Sequence, residues 1–118
     1  MADKERFYDI LTVAVEDINY VIEIRNEILR QLKYDRNIYW SWGPHKLEYG
    51  EISNKNPFLQ FLVNGAKFKG TVRVIYNMGT DTYIVEFYNI RKRLMKCVDE
   101  VYADTLVRII DSYVETDY

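Results

Sequence analysis

The sequence is poor in the residues that build small chemical sites. Its 118 residues include one cysteine, Cys97, and one histidine, His45. A lone cysteine excludes an intramolecular disulfide, and with it a disulfide-stapled secreted framework or a cysteine-rich zinc site. A lone histidine excludes multi-histidine metal centres, and any Ser-His-Asp or Cys-His arrangement would have to use His45. Prolines number two and glycines five, and no repeat, linker or low-complexity tract divides the chain. Long apolar runs are absent too. Ile10 to Val15, interrupted by Thr12, is far shorter than the ~20 residues of a membrane span. The opening MADKERFYDI is charged and lacks the apolar segment of a secretory signal. There is no N-x-[ST] sequon. A cytoplasmic chain without membrane contact is expected.

Catalytic signatures are missing as well. The sequence has no GxGxxG, no GxxxxGK[ST], no HExxH and no GxSxG. Its carboxylate pairs, such as Glu16–Asp17 and Asp99–Glu100, are adjacent. On a helix such neighbours diverge by ~100° and cannot share a proton. Cys97 is expected inside a short strand as a small apolar filler. The expectation is a protein that is not an enzyme, with no catalytic residue, cofactor or metal.

What is present is the composition of a packed domain, 48% apolar and 29% charged. One α+β domain over residues 1–118 is expected. Residues 4–34 read as a long helix, with Phe7, Leu11, Ala14, Ile18, Val21, Ile28 and Leu32 spaced alternately by four and three. Asp3 is its candidate N-cap. Val13, Tyr20 and Ile24 widen the apolar arc beyond the usual ~100° stripe. At ~1.5 Å per residue such a helix also overhangs a domain of this size. The surplus face, Val13, Tyr20 and Ile24, is therefore a candidate surface for a homodimer or another protein partner; two faces buried within one monomer would account for it equally.

The middle of the chain reads as an antiparallel meander of four to five strands. The expected strands are Ile38–Trp42, Phe58–Val63, Ala66–Asn77 and Thr82–Ile90, with Lys46–Ile52 and a short Leu94–Val98 as candidates for a further one. Asn64-Gly65 is a type I′ hairpin signal, and Gly70 marks a bend or bulge. Residues 100–116 form a second amphipathic helix with Asp99 as N-cap. Tyr102, Leu106, Ile109, Ile110, Tyr113 and Val114 lie on one side, and Asp104, Arg108, Asp111 and Glu115 on the other. The order helix, meander, helix gives two packed layers.

Two features carry binding chemistry. Tyr39, Trp40, Trp42, His45 and Tyr49 cluster within eleven residues, offering aromatic faces either to the core or to a ligand ring. Along Ala66–Asn77 Lys67, Lys69, Thr71, Arg73 and Ile75 alternate with Phe68, Val72, Val74 and Tyr76, and Arg91-Lys92-Arg93 and Lys96 follow. The net charge of −2 hides a partition: −3 over residues 1–35, +6 over 36–98 and −5 over 99–118. Trp40, Trp42, His45, Lys67, Lys69 and Arg73 are the candidate site for nucleic acid or a signalling nucleotide, on a basic and aromatic sheet face. The pI near 5.4 and the use of lysine to protect exposed strands point the other way.

The segments NGAKFKGTVRVIYN, GTDTYIVEFYNI and VDEVYADTLVRIIDSYVE, within residues 64–115, resemble the tails of small accessory proteins carried by phages and conjugative elements of gut bacteria. The resemblance implies a host-interaction role, such as countering a defence system. It supplies no catalytic residue.

Overall fold

The computed structural model describes residues 11–52 and 56–115, with side chains in the first helix from residue 19 onward. The elements are α1 (Leu11–Leu32), α2 (Arg36–Ser41), β1 (His45–Glu51), β2 (Pro57–Asn64), β3 (Lys69–Asn77), β4 (Thr82–Tyr88), β5 (Leu94–Val101) and α3 (Leu106–Val114). The strands form one antiparallel sheet in sequence order, β1-β2-β3-β4-β5. Helices on one side of an antiparallel sheet make the expected two-layer α+β domain.

Strand alternation sends two sets of side chains to opposite faces. Leu59, Phe61 and Val63 of β2 share a face with Val72 and Val74 of β3 and Tyr83, Val85 and Phe87 of β4. All are buried, and they pack with Ile28, Leu32, Tyr39, Trp42, Leu106, Ile110 and Val114 from the three helices. Every described helix therefore sits on this one face.

The wide apolar arc of α1 has an internal explanation. The helix packs on β1 and β2 and also against α3. Val21, Ile28 and Leu32 are buried, and Ile24 and Leu29 pack against the same core. Tyr20 is half-buried, and its phenol pKa is raised by that burial and then by Glu51 and Asp81. Ile24 thus turns inward, which corrects its assignment to a partner surface. The side chain of Val13, and the Asp3 cap, lie outside the described residues.

Residues 38–42 are not a strand. Asp35 caps a short helix by accepting the Ile38 N–H at 3.2 Å. Helical spacing then brings Tyr39 and Trp42 together on the core side and leaves Trp40 outside. Trp42 stacks on Phe61, with ring centroids 6.3 Å apart, and meets Tyr39 edge-on at 5.8 Å.

Two further turns differ from expectation. The last β2–β3 pair is Asn64–Lys69, so the connection is the four-residue loop 65–68 rather than a two-residue turn. Glycine at 65 reflects close approach, since a Cβ there would lie 2.4 Å from Val114. The loop docks on the end of α3, where Lys67 and Phe68 N–H both donate to the Val114 carbonyl. Gly70 causes no bulge, because the β2–β3 register runs through it unbroken. It is small because a Cβ would stand 2.1 Å from the Tyr88 carbonyl oxygen.

At the other end, β5 continues to Val101 and takes in Asp99, so the N-cap of α3 is Thr105. Asp111, expected on the polar side, is only 4% exposed. Its Oδ1 accepts the Trp42 indole N–H at 2.8 Å.

Candidate functional site: the uncovered sheet face and its basic end

No described helix covers the second face of the sheet, and its residues fall into cross-strand rows. Leu62, Thr71, Tyr88 and Leu94 form one row. Next to it, ~7 Å along the strands, come Glu48, Gln60, Arg73, Glu86 and Cys97. Phe58, Ile75 and Ile84 make a third.

Arg73 is the centre of the polar row. Its guanidinium lies between the rings of Phe58 and Tyr88, 4.9 and 5.2 Å from their centroids. Its Nε donates to Gln60 Oε1 at 2.9 Å, and Gln60 Nε2 donates to Glu48 at 2.9 Å. Glu86 stands 3.9 Å from Nη1 and accepts the Tyr88 hydroxyl at 2.6 Å. That hydrogen bond, with partial burial, raises the Tyr88 phenol pKa. The rings and Gln60 fix the guanidinium plane while only Nε has a close hydrogen bond. The outer fork of a guanidinium so held suits a carboxylate or phosphate. Cys97 is exposed rather than buried, and partial burial followed by Glu86 and Asp99 pushes its thiol pKa up.

The antiparallel meander gathers cations at one end. His45 and Lys46 begin β1, Lys69 begins β3, and Arg91, Lys92 and Arg93 form the β4–β5 turn. A shallow groove of about 270 Å³ at this end is lined by His45, Leu62, Val63, Asn64, Lys69, Gly70 and Ile90. His45 is oriented by a 2.7 Å hydrogen bond from Nδ1 to the Gly43 carbonyl. The opposite end of the strands carries Glu51, Asp81, Asp99 and Glu100.

The six candidate residues do not form one site. Trp42 has no exposed surface, so it belongs to the core and cannot stack on a ligand. Trp40 is 57% exposed but lies on α2, in the helix layer. Lys67 also turns toward that layer, where its Nζ donates to the Ser112 carbonyl at 2.6 Å. Lys69 and Arg73 do share the uncovered face, four residues apart on β3, which is ~13 Å. His45 meets Lys69 only at the groove.

The residues that complete the arrangement are Phe58, Gln60, Glu86, Tyr88, Leu62 and Leu94. Alternation within β4 places Glu86 and Tyr88 on a common face. Which face that is follows only from the β3–β4 register.

No family model, curated protein or solved structure matches the chain. No described helix is long and apolar enough to cross a membrane.

Proposed function

We propose that the chain is a non-enzymatic, cytoplasmic binding protein that meets another protein, in fixed stoichiometry, on the uncovered sheet face. The observation that carries this reading is the row Leu62–Tyr88–Leu94 beside the clamped Arg73. Apolar and aromatic side chains flank the charged row on both sides, and aromatic residues and arginine are the types enriched at protein interfaces. An arginine already fixed in place loses little entropy on binding, which is what an anchor residue needs. Ile90, 79% exposed, and Leu94 and Met95 extend the apolar area toward the basic end. Lys69 and Arg93 there favour a partner bearing carboxylates. Blocking a host defence protein by such contact is the accessory role this surface fits.

A photo-crosslinking residue in place of Leu94, compared with one in place of Trp40, tests this in the source cell. The reading expects one adduct from position 94 that disappears in an Arg73→Glu background. Adducts from position 40 alone would move the interface to the helix layer and overturn it. Mass in solution by light scattering separates a second copy from a different protein. The inward turn of Ile24 weighs against a homodimer through α1.

A further inference from the structure

We infer that the basic end of the sheet, with helix α2 beside it, is a surface for single-stranded nucleic acid. This uses the end of the strands rather than their open face; it shares Lys69 and Arg93 with the protein-partner reading but not the Arg73 clamp or Leu62, Tyr88 and Leu94.

Three connections bring the charge together. The cations Lys46, Lys69, Arg91, Lys92 and Arg93, with the His45 imidazole, lie across a sheet end of five strands, four spacings or ~19 Å wide. Among the described residues none of the six is paired with a carboxylate; the ion pairs there are Arg30–Glu27 and Arg73–Glu86. The backbone that carries them is fixed. Lys46 sits at φ 53° within a bulge between His45 and Glu48. Lys92 sits at φ 67° in a turn whose neighbours, Arg91 and Arg93, both donate their N–H to Asn89 Oδ1, at 2.9 and 3.0 Å. Lysine in the left-handed region is locally unfavourable. Of the four described non-glycine residues with positive φ, these two lysines stand at the basic end and Asp81 and Glu100 at the acidic end, so the turns at each end carry charge of one sign.

Aromatic surface adjoins this charge. The helix α2 is tied to the same end because the Asn64 N–H donates to the Trp42 carbonyl at 2.8 Å. Trp40 on that helix is 57% exposed, with its ring edge-on to Tyr39 at 5.1 Å. Cations that follow a phosphate backbone, with rings on which bases stack, are the two requirements for binding single strands. Duplex DNA fits less well, because the end offers turns rather than a helix or ribbon to enter a groove. The acidic pI is no obstacle. The carboxylates at the far end of the strands are ~20 Å away, about two Debye lengths at physiological salt, and Glu115, beside the β2–β3 loop at the basic end, is engaged by the Ala66 N–H at 2.9 Å.

Fluorescence anisotropy with labelled oligo(dT) and oligo(rU) of about twenty nucleotides tests the inference. About five phosphate contacts give a slope near −3.5 in log K against log salt, or roughly 100-fold weaker binding at ~200 mM than at ~50 mM salt. The double variant Lys92→Glu, Arg93→Glu, with unchanged circular dichroism, is expected to bind at least ~10-fold more weakly, with a shallower slope. Trp40→Ala is expected to weaken binding and leave the slope unchanged, since it removes stacking alone. Absence of binding to both oligonucleotides at ~50 mM salt would overturn the inference. So would binding that the double variant leaves intact. Displacement by polyglutamate as effective as by unlabelled oligonucleotide would reassign the end to an acidic protein.

Discussion

The two faces of this sheet are offset by a single residue along each strand, yet they are built to different rules. On the covered face Phe61, Val72, Val74, Val85 and Phe87 are essentially without exposed surface. A buried polar contact there, Trp42 to Asp111, joins the end of α2 to α3. On the uncovered face the central row is Glu48, Gln60, Arg73 and Glu86, in contact with water, hydrogen-bonded sideways across β1, β2 and β3 and joined to β4 by the 3.9 Å ion pair. Burial favours apolar side chains packed to interior density. A face in contact with water can carry charge at small cost, and can keep donors available to a partner. The difference indicates which residues hold the fold and which are free for recognition.

Substitutions that break the comparison should scale with the face they touch. Phe61→Ala on the covered face is expected to cost ~3–5 kcal/mol in chemical denaturation, because the cavity lies under Trp42. Trp42→Phe keeps most of the packing but removes the indole donor to Asp111, for an expected loss of ~2 kcal/mol. Arg73→Ala on the opposite face removes two ring contacts and a 3.9 Å ion pair. Its expected cost is about 1 kcal/mol or less. A loss from Arg73→Ala as large as that from Phe61→Ala would mean that the uncovered face is a second core.

A smaller effect concerns pH. The Tyr76 hydroxyl donates to Asp81 at 2.6 Å, and its phenol pKa is pushed up to about 12, chiefly by that bond. A pKa raised in the folded state stabilises below the unfolded value near 10 and is lost as pH rises through that range toward 12. Denaturation midpoints should therefore fall between about pH 10 and 12, with a shallower fall in Tyr76→Phe. An equally steep fall in that variant would assign the alkaline loss to Tyr83, Tyr39 or Tyr88, whose phenol pKa values are also raised.

Periodicity made most of the fold legible. The alternation of β3 and the stripe of α3 need only local spacing, and both emerge with Val72 and Val74, and Leu106, Ile110 and Val114, buried. The segment 38–42 misleads because isoleucine, tyrosine and tryptophan favour strands. The capping carboxylate of Asp35 decides for a helix instead. Asp111 misleads in the other direction: its helical position is polar by pattern, and only the distant Trp42 makes it a core residue. The candidate site was legible in part. Lys69 and Arg73 were visible from β3 alone. The clamp by Phe58 and Tyr88 depends on strands on both sides, and the basic end on three connections spread over more than forty residues. Such neighbours are set by register, which no local pattern contains.

Amide hydrogen exchange of the protein alone and in its purified complex, mapped to peptides, tests the account most directly. Bound partner should slow exchange in β4, β5 and the β2 segment ending at Asn64, and leave α1 and α3 unchanged. Slowed exchange confined to α1 and α3, with β4 and β5 unaltered, would contradict it and place recognition on the helix layer.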